Sequence, residues 1–197
     1  KQHPVGITTH TKLGNDIAFN SPADWVSPSV ASWANQNDPY KIDPPVADGE
    51  KVMILDTDHL WGIGGDRIWV WKSFLRGYNP IYMDNLDSDA TKEGARRAMG
   101  HTLTYANKMN LKDMSSHSDL ATTTYCLANP GVEYLVYQPE SNKSFTVKLK
   151  VGKYNYEWFN PEKGTIVSSG KLTVSSGNIL FTPPFLGDAV LHIFSNK

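Results

Sequence analysis

The chain has 197 residues, with 19 Lys and Arg against 20 Asp and Glu, a formal charge of -1 and a single cysteine. That balance provides neither a basic stripe for phosphate backbones nor a polybasic patch for anionic lipid, so nucleic acid and membrane surfaces are excluded as first readings. No run approaches the roughly 18 apolar residues that cross a bilayer, and Cys126 alone cannot close an internal disulfide.

In chain order, Val5 to Thr8 predicts a first strand, followed by a long loop over residues 11–50 rich in Pro, Asn and Ser. Lys51 to Leu55 (KVMIL) is a compact apolar run that stops at Asp56-Thr57-Asp58-His59, the pattern of a buried parallel strand opening into a loop. Asp66 then caps a helix running to about Arg76, with Gly77 as its stop. Pro80 to Met83 predicts a second short strand ending at Asp84. From Ser88 to Met109, the spacing of Ala95, Met99, Thr102, Ala106 and Met109 predicts a long amphipathic helix. Strand, loop and helix in repetition is the rhythm of βα units.

Beyond residue 115 the period changes to two. Phe145, Val147 and Leu149 form one stripe and Tyr154, Tyr156 and Trp158 another. Turn signals stand at residues 129–131, 160–164 and 175–177, and further strands are expected at 122–127, 133–138, 171–174, 179–182 and 189–194. The expected organisation is α/β over residues 1–115 and a small antiparallel β-sandwich over 116–197. Neither part is specialised by charge, with 12 basic and 14 acidic residues in the first and 7 and 6 in the second.

The stretch Asp56 to Gly62 carries the most chemistry. Two carboxylates and an imidazole follow a buried strand directly, where α/β folds hold reactive groups fixed yet accessible. Alternation sends Asp56 and Asp58 to one side and Thr57 to the other. The same acids also suit the capping of glycine-rich turns, so both readings stand. A metal reading is weaker, because Asp-x-Asp-His lacks a further ligand at zinc-like spacing. Asp84 to Glu93 likewise departs from a calcium loop, with Leu86 at its third position. No metal and no cofactor is expected. Trp61 and Trp25, both in loops, are candidates for stacking on a sugar ring, whose C–H faces are apolar; loop anchoring is the alternative. Trp69 and Trp71 cannot share a helix face, so at least one is assigned to the core. His10, His101, His117 and His192 show no partner spacing, and Cys126 reads as a buried small apolar residue.

The block Asp56 to Gly65 (DTDHLWGIGG), continuing from Trp69 to Asp84, resembles the apiosidase-like glycoside hydrolases of bacteria. Tyr125 to Gly131 (YCLANPG), Glu133 to Tyr137 (EYLVY) and Glu157 to Pro161 (EWFNP) resemble the C-terminal module of that family that is named for collagen binding. The resemblance implies the C-terminal part of a (β/α)8 (TIM) barrel over residues 1–115, then an accessory β-sandwich. It also implies hydrolysis of glycosidic bonds in plant or other complex polysaccharides by two carboxylates, in a secreted or periplasmic bacterial protein. A full barrel takes about 200 residues or more. The expectation is therefore that earlier strands, which bear the acid/base carboxylate, come from outside this chain, from another chain if necessary, and that this chain alone is inactive. Asp56 or Asp58 matches the position of the second carboxylate, which is more usually Glu, with His59, Trp61 and Trp25 as substrate-binding residues. A non-catalytic module binding carbohydrate or matrix protein is the alternative.

Overall fold

A computed structural model describes residues 3–32, 34–60, 65–83, 89–175 and 177–195. Two compact units divide the chain, Lys1–Met99 and Gly100–Lys197.

The first unit is built on four parallel strands paired in chain order: β1 (Gly6–Thr8), β2 (Trp25–Ser27), β3 (Val52–Asp56) and β4 (Tyr78–Ile81). The apolar run before Asp56 forms β3 as expected, with Met53 and Leu55 buried. The helix after it, α3 (Arg67–Leu75), begins where Asp66 Oδ1 accepts from Trp69 N at 2.7 Å. It ends before Gly77, whose φ of 89° is the left-handed conformation that favours glycine at such a stop. Trp69 and Trp71 are both buried, since α3 carries apolar residues around most of its circumference.

The loop expected over residues 11–50 contains regular structure. Helix α1 (Lys12–Phe19) starts at Thr11, whose side chain accepts from Gly14 N, and β2 follows. A single turn, α2 (Pro39–Ile42), is capped by Asp38 with Pro39 in its first turn. These elements escape periodicity for physical reasons. Strand β2 has three residues, too few to show alternation, and α1 leaves Leu13 and Ile17 exposed while burying Asn15 and Ala18.

Helix α4 (Ala90–Lys108) spans the boundary between the units. In the second unit, strands β5 (Ser115–Ser116), β6 (Cys126–Asn129), β7 (Glu133–Gln138), β9 (Gly152–Asn160), β10 (Thr165–Val174) and β12 (Ala189–Ser195) form an antiparallel sheet in the order β10-β9-β12-β7-β6-β5. Strands β8 (Phe145–Lys148) and β11 (Asn178–Phe181) pair separately. The strand expected from residue 122 starts only at Cys126, because residues 122–125 form a turn in which Thr124 has φ of 65°. Strand β10 starts earlier than expected, at Thr165; its exposed edge position permits polar residues throughout.

The two faces of the six-stranded sheet differ in chemistry. One carries Cys126, Tyr134, Val136, Tyr154, Trp158 and Leu191, packed with Phe145, Val147 and Phe181 of the β8–β11 pair in a single apolar cluster. Cys126 is fully buried there, and burial pushes its thiol up to about 12, leaving it a small apolar residue. The other face carries Phe159, Glu157, His192 and Glu133, against which α4 sets Tyr105, 5.5 Å from both the Phe159 and His192 rings. Buried His192 lies between two carboxylates, with Nε2 2.7 Å from Glu133 Oε1 and Nδ1 3.3 Å from Glu157 Oε1. Lys108 also bonds Glu157 Oε1, and the Tyr105 hydroxyl donates to it at 3.2 Å.

Burial by itself would push the Glu157 carboxyl up, but the hydrogen bonds from His192 and Lys108, and their charges, outweigh it and hold it at about 2. Burial would likewise lower His192; its bonds to Glu133 and Glu157 prevail and raise it above its ordinary 6.5. The depressed carboxyl stabilises the fold above pH 4.5, an effect lost as pH falls toward 2. The raised imidazole stabilises it below pH 6.5, an effect lost as pH rises through its folded value. The melting temperature of the second unit's transition should therefore be highest between about pH 4.5 and 6.5, and His192→Gln should flatten the alkaline limb in thermal melts across pH.

Trp158 is 4% exposed, with its ring 5.9 Å from Phe145 and 6.4 Å from Phe181. Trp158→Ala should lower stability by about 3 to 5 kcal/mol, most of what a unit of this size has, in chemical denaturation monitored by circular dichroism.

Candidate active site

Because β1 to β4 are parallel, their C-terminal ends share one edge. Thr9 and His10 follow β1, Ser27 closes β2, and Asp56 closes β3, followed by Thr57, Asp58 and His59. The backbone continues to tie these ends together past the strands, with Thr9 N donating to Ser27 O and Thr57 N to Ile81 O, each at 3.1 Å.

Thr57 is buried and its Oγ1 accepts from Met83 N at 2.8 Å, so it faces inward while Asp58 is exposed. Asp56 is half-buried. Its Oδ1 accepts from Asp58 N at 2.9 Å, and Leu60 N donates to Asp56 O at 3.2 Å, so the turn after β3 closes on Asp56 through both side chain and backbone. A carboxylate held by its own turn is oriented before any ligand arrives, and among the described residues its Oδ2 has no hydrogen-bond partner. Turn capping and positioning are thus one arrangement in Asp56, whereas the Asp58 side chain stands in solvent.

His59 is half-buried, with Nδ1 3.1 Å from Ser27 Oγ and its backbone oxygen accepting from Ser29 Oγ at 3.2 Å. Ser29 is itself fixed by buried Asn15, whose Oδ1 accepts from Ser29 N at 2.9 Å and whose Nδ2 donates to Ser29 O at 2.8 Å. Thr9 Oγ1 donates to the same Asn15 oxygen at 2.5 Å. The His10 ring lies 6.0 Å from that of His59. With Nδ1 engaged by Ser27, His59 can present Nε2 as donor or acceptor to a ligand.

The structure brings Asp56, Asp58 and His59 to this edge and adds His10 and Ser27, which spacing did not reveal. The signal for His10 was its place directly after a strand, the same signal that marks Asp56; Ser27 was hidden in the supposed loop. Trp25 does not join them. It starts β2 opposite Val52, so Asp56 lies four residues further along, about 13 Å at the usual strand rise. Its indole ring also lies flat against Gly6, where a Cβ would come within 1.6 Å of it. Trp61 and the Asp84 to Ser88 part of the calcium-like stretch lie outside the described residues. A cavity of about 170 Å³ in the first unit, lined by Tyr40, Met53 and Tyr78, opens at the N-terminal edge of the strands instead. Burial raises Tyr40 there to about 12 and Tyr78 further, so both phenols stay protonated.

No family model matches the chain, and a search of curated proteins found no match. Among solved structures it is similar to one described as "Glycoside hydrolase", at a TM-score of 0.52 and 11% identity, covering 76% of this chain and 44% of that one. It is also similar to a glycoside hydrolase family 5 protein from Bacteroides vulgatus ATCC 8482, at a TM-score of 0.51 and 14% identity, covering 66% of this chain and 35% of that one. The chain spans less than half the length of either, and what it shares with them is the fold. Its four described parallel strands do not close into a barrel.

Proposed function

We propose that the chain is part of a carbohydrate-cleaving glycoside hydrolase. In this reading its first unit supplies the last βα units of a (β/α)8 barrel and its second an accessory sandwich, as in the apiosidase-like family. The observation that carries the proposal is the edge at which Asp56, Asp58, His59, His10 and Ser27 converge, at the C-terminal ends of parallel strands, in a fold shared with glycoside hydrolases.

Of the two acids, Asp56 fits the role of second carboxylate better. It is half-buried and oriented by the Asp58 amide, so its charge meets a developing oxocarbenium ion without first reorganising. Asp58 contributes mainly through its backbone. His59, steadied by Ser27, holds a sugar hydroxyl, and Trp61, two residues on in the sequence, remains the proposed ring platform. The proton donor to the leaving group, and with it a secreted or periplasmic setting, belongs to the whole protein.

General-acid assistance contributes about 10²- to 10⁴-fold, so these 197 residues alone should hydrolyse aryl glycosides negligibly. Restoring the complementary barrel strands should bring measurable turnover. In that active form Asp56→Asn should lower kcat at least 100-fold, by the same reckoning, and Asp58→Asn far less. Brisk turnover by the 197-residue chain, or loss of activity on Asp58→Asn but not Asp56→Asn, would refute this assignment.

A further inference from the structure

The register of the second unit aligns five residues in one row across five adjacent strands. Lys171 of β10 pairs with Asn155 of β9, Asn155 with Phe194 of β12, Phe194 with Glu133 of β7, and Glu133 with Asn129 of β6. Directly paired residues project to the same face, so the five side chains form a band about 19 Å long at the usual strand separation. The band floors an open groove of about 1270 Å³, walled by Met109 and Met114 beyond the end of α4.

Several groups in this row are unspent. Among the described residues Lys171 and Asn129 make no side-chain hydrogen bond or ion pair, and Glu133 uses only Oε1, for His192. The Phe194 ring rests on His192, with centroids 4.9 Å apart, which holds an aromatic surface at the middle of the row. Among the described residues the charges lining the groove balance: Lys108 and Lys171 against Asp113 and Glu133.

We infer that this row is a binding site for a neutral oligosaccharide laid across the strands of the second unit. A carboxylate, amides and an ammonium, spaced along a line, suit a chain of hydroxyls that each donate and accept. An aromatic surface between them suits the apolar face of a ring. The balanced charge favours an uncharged ligand over phosphates or uronates, for which the two carboxylates are repulsive. The site lies wholly in Gly100–Lys197 and needs no residue of the candidate active site.

Calorimetric titration of the 197-residue chain with cellohexaose and with xylohexaose tests this. Binding of at least one, with millimolar or tighter Kd, should weaken about tenfold in Lys171→Ala and in Asn129→Ala, the loss of roughly one hydrogen bond to a charged or polar group. Lys171 is exposed and Asn129 half-buried, and unchanged thermal melts would show the variants folded. Lys163→Ala, an exposed lysine outside the groove, should leave this binding as it is, which separates a defined site from non-specific association. Failure of both sugars to bind, or binding that survives both Lys171→Ala and Asn129→Ala, would overturn the inference.

Discussion

Two strands that pair in parallel must be joined by a crossover, and three such crossovers in the first unit return the chain each time to the same starting edge. Every residue that follows a strand therefore arrives at the opposite edge, whatever its distance in sequence. His10, Ser27 and His59 are far apart along the chain and close in the fold for this reason alone. The paired backbone continues beyond the strands at Thr9 and Thr57, so the groups that follow are carried on braced segments rather than loose loops.

The bracing extends to side chains with no chemical role of their own. Buried Asn15 on α1 holds Ser29 through both its amide groups, and Ser29 in turn holds the His59 backbone. Buried Thr57 secures the other side of the same turn to Met83. The second unit uses a different device on one face of its sheet, where apolar packing gives way to His192 between two glutamates, with Lys108 of α4 as counter-charge. Removing one member of such a set would strand a buried charge, so the network fixes where α4 ends relative to the sheet and leaves the next row of the sheet open.

The elements that periodicity could detect were those that bury a continuous apolar face. Strand β3, helices α3 and α4, and the stripes of β8 and β9 all meet that condition, and their core residues were legible, Trp158 among them. Strand β2 and helix α1 do not: one is too short, and the other turns Leu13 and Ile17 outward. Missing them hid Ser27 and the pairing of His10 with His59. The acids after β3 were visible because a strand ending in polar residues is a local signal. The network around His192 was not, because Glu133, Glu157 and His192 come together only through the register of three strands separated by long stretches of chain.

Ligand chemistry in the first unit belongs, on this proposal, to the C-terminal edge of its parallel strands. Backbone amide NMR of the chain, titrated with a large excess of xylohexaose, tests that placement directly. Within the first unit, shifts should gather at Thr9 and His10, at Ser27 and Ser29, and at Asp56 to His59, with Trp25, Val52 and Tyr78 undisturbed. Shifts confined to the N-terminal edge, around Tyr40, Met53 and Tyr78, would contradict it.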